Sequence, residues 1–356
     1  MSRTRWAVLV GICLVAVASL AFWRVLDHDL DRRASEPFGF SVGRVELTGT
    51  LWLPDGTVQA GVVLVHGDGP QDRSSAGGYA PLVNNLLDAG IAVASWDKPG
   101  IGGSTGHWLD QSMADRAAEA RAALALLDRK LDGISIGALG FSQAGWVLPK
   151  LNRSDVDFLV LVGPAVSWRM QGRYYNRMRL LRQGADNAEI EQALAREAIA
   201  NERFFGSKSR FEPNKDVTGL GEDRWSFIRR NRDQDAREDL GRLDMPLLAI
   251  WGAEDLNVDA SGDAAIYREV VGSGPPGTRI VLVANATHGL LKAEPYNWQL
   301  VEQWPWHAKL RFLVEGRYAF ASGALDRIGE WILKQGSDEP VSPNDSALPG
   351  RSIEAE

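Results

Sequence analysis

The sequence predicts an α/β protein: a mostly parallel central sheet flanked by helices, with a helical block inserted late in the chain and an apolar helix at the N-terminus. Three observations carry this reading. Short β-rich runs alternate with helical patterns, as parallel strands joined by helical crossovers require. The alternation breaks between Ser167 and Asp244, where Arg, Glu, Ala and aromatic residues show helical periodicity and no clear strand. The stretch from Trp6 to Trp23 holds eighteen residues without a charge.

That apolar run comes first in the chain. At ~1.5 Å per residue it nearly matches a ~30 Å hydrocarbon core, so it is read as a membrane anchor. Arg3 and Arg5 precede it, and the positive-inside rule then sets the folded domain outside the cytoplasm, at the periplasmic face of the inner membrane in a bacterium. A cleaved signal peptide is the alternative, because Ala16-Val17-Ala18 offers a small-residue processing site; the protein would then be secreted. Cys13, the single cysteine, lies behind the bulky Ile12, which argues against lipidation. Asp27 to Pro37 alternates acids and arginines without an apolar period and reads as a linker. Residues 1–33 are thus anchor or signal plus tether, 34–336 the folded domain with 167–244 as its inserted lid, and 337–356 an acidic tail. The stretch from Gly336 has three prolines and five acids in its last 21 residues, too little apolar content to order itself.

Within the domain, Val45 to Leu53 reads as an entry strand or hairpin closed by Pro54-Asp55-Gly56. Gly61–Val65 and Ile91–Trp96 are apolar runs suited to buried strands, and Ile134–Leu139, Phe158–Val162, Leu247–Trp251 and Arg279–Val283 continue the series. Helices are expected over Tyr79–Ala89, Ser112–Leu131, Gln143–Leu151, Asp263–Val271 and Ala319–Lys334.

Composition narrows the chemistry. Lys plus Arg number 39 against 46 Asp plus Glu, a net charge of −7, which is a poor basis for neutralising nucleic-acid phosphates. One cysteine and five histidines without a Cys/His cluster leave little from which to build a zinc site, so no metal is expected. Gly100-Ile101-Gly102-Gly103-Ser104-Thr105-Gly106 follows a strand, but its sixth position is Thr105, so it is read as a tight turn rather than a dinucleotide loop. No cofactor is expected either.

The run Gly140-Phe141-Ser142-Gln143-Ala144-Gly145 puts a serine just after a buried strand. A serine hydroxyl is a weak nucleophile, and a sharp strand-to-helix turn is the device that exposes it to a base and to helix-start N–H groups. Ser142 could also serve simply as a helix cap. A base and an orienting acid must then stand at the same sheet edge. His288 in Ala286-Thr287-His288-Gly289 follows one strand, and Asp255 in Gly252-Ala253-Glu254-Asp255 follows the strand before it. Their order in the chain, Ser142, Asp255, His288, is that of the α/β-hydrolase architecture. His307 is a second candidate base, while Glu254 and Asp259 compete with Asp255. Val62 to Val65 runs into His66-Gly67-Asp68-Gly69, a turn whose N–H groups could bind an oxyanion together with that of Gln143.

With these segments in view, the chain resembles the serine α/β-hydrolase family, in its bacterial esterase-like branch related to serine aminopeptidases and dienelactone hydrolases. The resemblance rests on His66-Gly67-Asp68-Gly69-Pro70-Gln71-Asp72-Arg73, on Trp96-Asp97-Lys98-Pro99-Gly100, on the serine turn and on the Asp255 and His288 segments, and spans roughly residues 40 to 335. It implies Ser142 as nucleophile, His288 as base, Asp255 as acid, and the N–H groups of Asp68 and Gln143 as oxyanion hole. It also implies a small-molecule ester or amide substrate. Two departures stand out. Asp68 occupies a position usually held by a small neutral residue, so its carboxylate should point away from an oxyanion. Pro99 replaces a common arginine.

Two alternatives to an ester hydrolase stay open: an amidase or peptidase with the same residues, and an inactive binding protein. Arg169, Arg173, Arg177, Arg179 and Arg182 in the insertion could face anionic headgroups or an acidic substrate, or form an ordinary solvated helix face.

Overall fold

The computed structural model describes residues 5, 6, 11, 12, 19, 23–212, 219–272 and 274–336. Among them eight strands form one sheet: β1 Ser35–Val42, β2 Val45–Trp52, β3 Ala60–Val65, β4 Ile91–Trp96, β5 Ile136–Phe141, β6 Phe158–Val162, β7 Leu247–Gly252 and β8 Arg279–Val283. Their spatial order is β1-β2-β4-β3-β5-β6-β7-β8. β2 runs antiparallel to both neighbours and every other pairing is parallel. The C-terminal ends of β3 to β8 therefore share one edge, and the loops leaving that edge are where side chains from distant parts of the sequence can meet.

The α-helices longer than four residues are α1 Ala80–Asp88, α2 Met113–Lys130, α3 Trp168–Arg182, α4 Asn187–Phe205, α5 Glu222–Asn231, α6 Ala260–Val271, α7 Trp306–Glu315 and α8 Ala324–Gln335. Strands β3, β4, β6 and β7 are buried along their whole length, as continuous apolar runs covered on both faces must be. Alternation then divides the core. Val62 and Leu64 belong to one layer with Leu82, Leu86, Ile328 and Ile332 of α1 and α8, while Val63 and Val65 belong to the other, with Ala117, Ala120 and Leu124 of α2 and, further along the sheet, Tyr267 of α6. The small residues of α2 let it lie close to the sheet. Its start is set by a capping box in which Ser112 and Asp115 satisfy each other's backbone N–H groups.

One glycine shows how tightly the layers meet. A Cβ on Gly137 of β5 would fall 1.9 Å from the Phe158 ring of the neighbouring strand. Overpacking of this kind costs about 1–3 kcal/mol, and Phe158 is fully buried with no room to retreat. Gly137→Ala is expected to lower stability by at least that amount, read as a drop in the urea midpoint with an unchanged slope.

The predicted strand series is present with end shifts of at most two residues, and the insertion between β6 and β7 is helical, as α3 to α5. Four expectations need correction. The helix predicted over Gln143–Leu151 is two 3-10 turns, Ser142–Trp146 and Leu148–Lys150, because Pro149 has no N–H for the Gly145 carbonyl and breaks the α pattern. The last helix begins at Ala324 rather than Ala319, after Gly323 turns the chain with φ +70°. Helix α7 was not anticipated.

The fourth correction concerns the tether. Asp27 to Pro37 is no free linker: Leu26–His28 forms a turn, β1 begins at Ser35, and Asp27 and Arg33 are buried. Asp27 Oδ1 accepts from Arg317 Nη2 at 2.7 Å, and Arg33 Nε donates to Asn84 Oδ1 at 2.6 Å while its Nη2 meets Asp88. Alternating charge, read as solvation, here marks complementary ion pairs with residues far along the chain.

In the arginine run of the insertion, three of the five side chains pair with carboxylates of the domain itself. Arg169 binds Asp233, Arg173 and Arg177 both bind Glu191, and Arg182 donates to the Asn297 carbonyl. The apolar run Trp6–Trp23 and the tail 337–356 lie almost wholly outside the described residues. Among the described residues no helix is long and apolar enough to cross a membrane.

Candidate active site

Ser142 stands directly after β5 with φ +49°, in the left-handed region that side chains with a Cβ avoid. The turn is possible because its flanks are small. A Cβ on Gly140 would come within 2.5 Å of the Ala144 Cβ, so the methyl at 144 is tolerated only because 140 has none. A Cβ on Gly145 would strike Pro164 at 2.6 Å, which lets the segment after β6 approach. Ser142 is half-buried, and among the described residues its hydroxyl makes no hydrogen bond. The strained φ is the kind of local cost that a structure retains where a side chain must be aimed.

Beyond β7 and β8, Asp255 and His288 meet. His288 Nδ1 donates to Asp255 Oδ2 at 2.7 Å, and the other carboxylate oxygen accepts the Asn257 and Val258 N–H groups at 2.7 and 3.0 Å. Asp255 is therefore buried and fully paired, and its hydrogen bond fixes the imidazole tautomer that leaves Nε2 bare. Burial works to lower the His288 pKa, but the charge and hydrogen bond of Asp255 outweigh it and hold the imidazole above its ordinary value. The two loops are stitched by backbone bonds, Ala253 N–H to the Val283 carbonyl at 2.8 Å and Glu254 N–H to that of Ala286 at 2.9 Å. The His288 ring lies against Gly163 at the end of β6, where a Cβ would come within 2.9 Å of it. The strand carrying Ser142 and the strand ending at Gly163 are direct neighbours, so Ser142 and His288 share one sheet edge. No hydrogen bond joins them in this structure.

The competitors have other employment. Asp259 caps α6 through the Gly262 N–H, and His307 lies exposed on α7. Glu254 is exposed, with its backbone carbonyl bound by Asn297. His66 is buried, its Nε2 against the Trp96 carbonyl at 2.7 Å and its pKa driven down to about 3, chiefly by burial. It is a neutral structural group.

The turn after β3 is held from beneath. The buried Lys98 Nζ donates to the Gly67 and Gly69 carbonyls at 2.6 and 2.8 Å. In a trans peptide the C=O and N–H point in opposite directions, so tying the Gly67 carbonyl to Lys98 turns the Asp68 N–H the other way. That turn lies against the serine: a Cβ on Gly67 would sit 3.4 Å from the Ser142 Cβ. Neither the Asp68 nor the Gln143 N–H donates to a protein acceptor among the described residues. The Gln143 side chain is itself locked, its Oε1 accepting from Arg116 Nη1 at 2.5 Å and its Nε2 donating to Asp68 Oδ1 at 3.1 Å. Arg116 also reaches the His66 carbonyl, and Glu119, one turn along α2, is pushed up to about 7 by burial against the pull of Arg116.

The Asp68 carboxylate is answered by charge. Arg224 of α5 forks onto it at 3.1 and 2.7 Å. Burial alone would raise the Asp68 pKa, but the Arg224 hydrogen bonds and charge, with Lys98 nearby, hold it below the usual carboxylate range. The inserted helices are thus bound to the turn over the serine. They also bind the acid loop, where Tyr174 donates to the Asp255 carbonyl at 2.8 Å. Asp97, in the same motif as Pro99, clamps Arg73 through Nε at 3.0 Å and Nη2 at 2.6 Å, which gives that loop its contact.

Sequence reasoning missed Lys98, Arg116, Gly163 and Arg224. Lys98 lies within a recognised motif that does not name its partner; single arginines on alanine-rich or charged helices leave no periodic signal. A cavity of about 200 Å³ between α3 and α6 is lined by Tyr174, Asp259 and Asp263 but by none of Ser142, Asp255 and His288, and stands apart from this site. Among the described residues no group of three or more His, Cys, Asp or Glu is placed to hold a metal ion.

The Arg224 clamp has a measurable role. A carboxylate facing a developing oxyanion opposes it by about 1–2 kcal/mol once the half-exposed setting is screened. If the turn is an oxyanion hole, Arg224→Ala should lower kcat roughly tenfold, and adding Asp68→Asn should recover most of the loss.

The family profile described as "Serine aminopeptidase, S33" matches residues 56–295. Among solved structures, an esterase from Pyrococcus furiosus is 17% identical with TM-score 0.53, covering 87% of this chain and 95% of its own. A thermostable carboxyl esterase from Bacillus coagulans is 15% identical with TM-score 0.52, covering 84% and 99%. At these identities the likeness is one of fold. No curated protein sequence matches the chain.

Proposed function

The chain belongs to the serine aminopeptidase S33 family and has the α/β-hydrolase fold, and we propose that it is a serine hydrolase cleaving carboxylic esters through an acyl-enzyme. The observation that carries this reading is the 2.7 Å bond between His288 and Asp255 at the sheet edge where Ser142 is aimed outward by its strained turn. Ser142 Oγ attacks the carbonyl carbon while His288 Nε2 takes its proton. The oxygen that becomes negative lies between the N–H groups of Asp68 and Gln143. Asp255 stabilises the imidazolium, which then protonates the departing alkoxide. Water repeats the sequence on the acyl-enzyme and frees the acid. No cofactor enters.

The family's name favours a second reading, an amide or short peptide as substrate, because the same groups perform the same acyl transfer with an amine leaving. The two are separated by a graded series of p-nitrophenyl acyl esters run beside matched p-nitroanilides on the full chain. The proposal expects turnover of at least one ester length, an initial burst approaching one equivalent per chain, and labelling of Ser142 by a serine-reactive phosphonate. Anilide turnover exceeding ester turnover would move the reading to the amidase. Absence of phosphonate labelling on folded protein would overturn both and leave a binding protein.

We also propose that the run Trp6–Trp23, preceded by Arg3 and Arg5, anchors the chain with the hydrolase domain outside the cytoplasm. Full-length, unprocessed chain in membranes supports this; a mature start near Ser19 would replace anchoring by secretion.

A further inference from the structure

Helix α7 is amphipathic the wrong way round for a free surface. Its inner side carries Ala308, Phe312 and Glu315, with Phe312 packed edge-on against Tyr296 and Trp304. On the opposite side stand Trp306, Leu310, Leu313 and Val314, 75%, 52%, 41% and 36% exposed. These are positions i, i+4, i+7 and i+8, one continuous stripe at 100° per residue, centred opposite the packed face. The segment before the helix extends it with Leu300 and Val301, 48% and 63% exposed.

Two further observations say what covers this face. The first is charge. The stripe is edged by Lys309 on one flank and by Arg311 on the other, half-exposed with its Nε bridged to Glu315; the helix's only acid, Glu315, is satisfied by Arg311, Lys292 and the Tyr296 hydroxyl, and one exposed acid, Glu302, follows the Leu300–Val301 extension. An apolar stripe with cationic edges is the pattern of a helix lying in the headgroup layer of an anionic bilayer. The second is position. The chain arrives from the apolar run Trp6–Trp23 beside this helix: His28 Nε2 lies 3.2 Å from the Phe312 carbonyl, its ring 5.0 Å from that of Phe312, and the Arg24 guanidinium 4.4 Å from the Tyr318 ring. Trp23 and Tyr318 are 67% and 55% exposed, adding interfacial aromatics at that end.

We propose that the outer face of α7 docks on an anionic lipid surface, in the plane of the headgroups, and so fixes which way the hydrolase domain faces the membrane. This deepens the anchoring reading above and is independent of the hydrolase reading. A segment of this chain or a second copy folded onto the stripe is the rival, and the lysine and arginine edges favour lipid over either.

The test uses the full chain in a Cys13→Ser background with Leu310→Cys carrying a fluorescent label, in vesicles of phosphatidylglycerol and phosphatidylethanolamine. The control is Asp128→Cys, exposed on α2 in the helix layer across the sheet. Acrylamide reports access from water, and brominated acyl chains report contact with lipid. The label at 310 should be quenched by brominated lipid and be roughly fivefold less open to acrylamide than the label at 128. Floating vesicles with 310 as open to acrylamide as 128 would overturn docking and leave the anchor intact. Protection from both quenchers would overturn it in favour of a protein cover. A chain that does not float with vesicles would overturn docking and anchor together.

Discussion

Ser142→Ala is expected to lower kcat for ester hydrolysis by about 10⁵–10⁶-fold, leaving only the ~10³–10⁴ over water that an oxyanion hole and binding supply by themselves. The turn should survive, because alanine at φ +49° pays the same backbone cost that serine pays. Equal urea midpoints for the two proteins, measured beside the rates, would assign the loss to chemistry. Ser142→Gly sharpens the point. It should be as inactive as the alanine variant yet more stable by about 1 kcal/mol, since glycine adopts positive φ without strain. Activity and stability would then move in opposite directions at one residue.

Asp255→Asn is the second large effect. The amide oxygen stays with the Asn257 and Val258 N–H groups, so the NH2 faces His288 and donates to Nδ1, the proton moves to Nε2, and kcat should fall about 10⁴-fold. The pH profile carries an independent signature. His288 must be neutral to take a proton, and Asp255 holds its pKa above the ordinary value, so the acid limb of kcat/KM in the native protein should lie above about 6.5. Without the carboxylate only burial remains, which disfavours imidazolium, and the limb should move to lower pH. A limb that stays in place would mean that another group is being titrated.

Much of this arrangement is legible in the amino-acid sequence, because it is built from local signals. Strands β3, β4, β6 and β7 are apolar on both faces and read as such, and Ser142, Asp255 and His288 each follow a strand in the same sense. Three strand ends of a parallel sheet must share an edge, so their proximity follows from alternation alone. What stays hidden depends on partners far away in sequence. Nothing around Lys98 announces that it ties down the Gly67 and Gly69 carbonyls, and nothing in α5 announces that Arg224 answers Asp68. The same reason explains the errors. Asp27 to Pro37 has the composition of a solvated linker, and only Arg317, Asn84 and Asp88 show why it is held. The break after Ser142 is within reach of sequence reasoning, since Pro149 sits in the predicted helix interior.

That held segment changes where the chain can be cut. Arg317 is half-buried with Asp27 and Asp88 as its partners, and Asn84 donates to the Asp27 carbonyl at 2.8 Å while accepting from Arg33. A protease that sheds the domain, or an expression plasmid that begins it, must therefore keep everything from about Leu26 onward. A start at residue 34 would strip Arg317 of one carboxylate and leave Asn84 facing an empty groove. The resulting protein should express as a weakened, protease-sensitive fragment whose defects have nothing to do with Ser142.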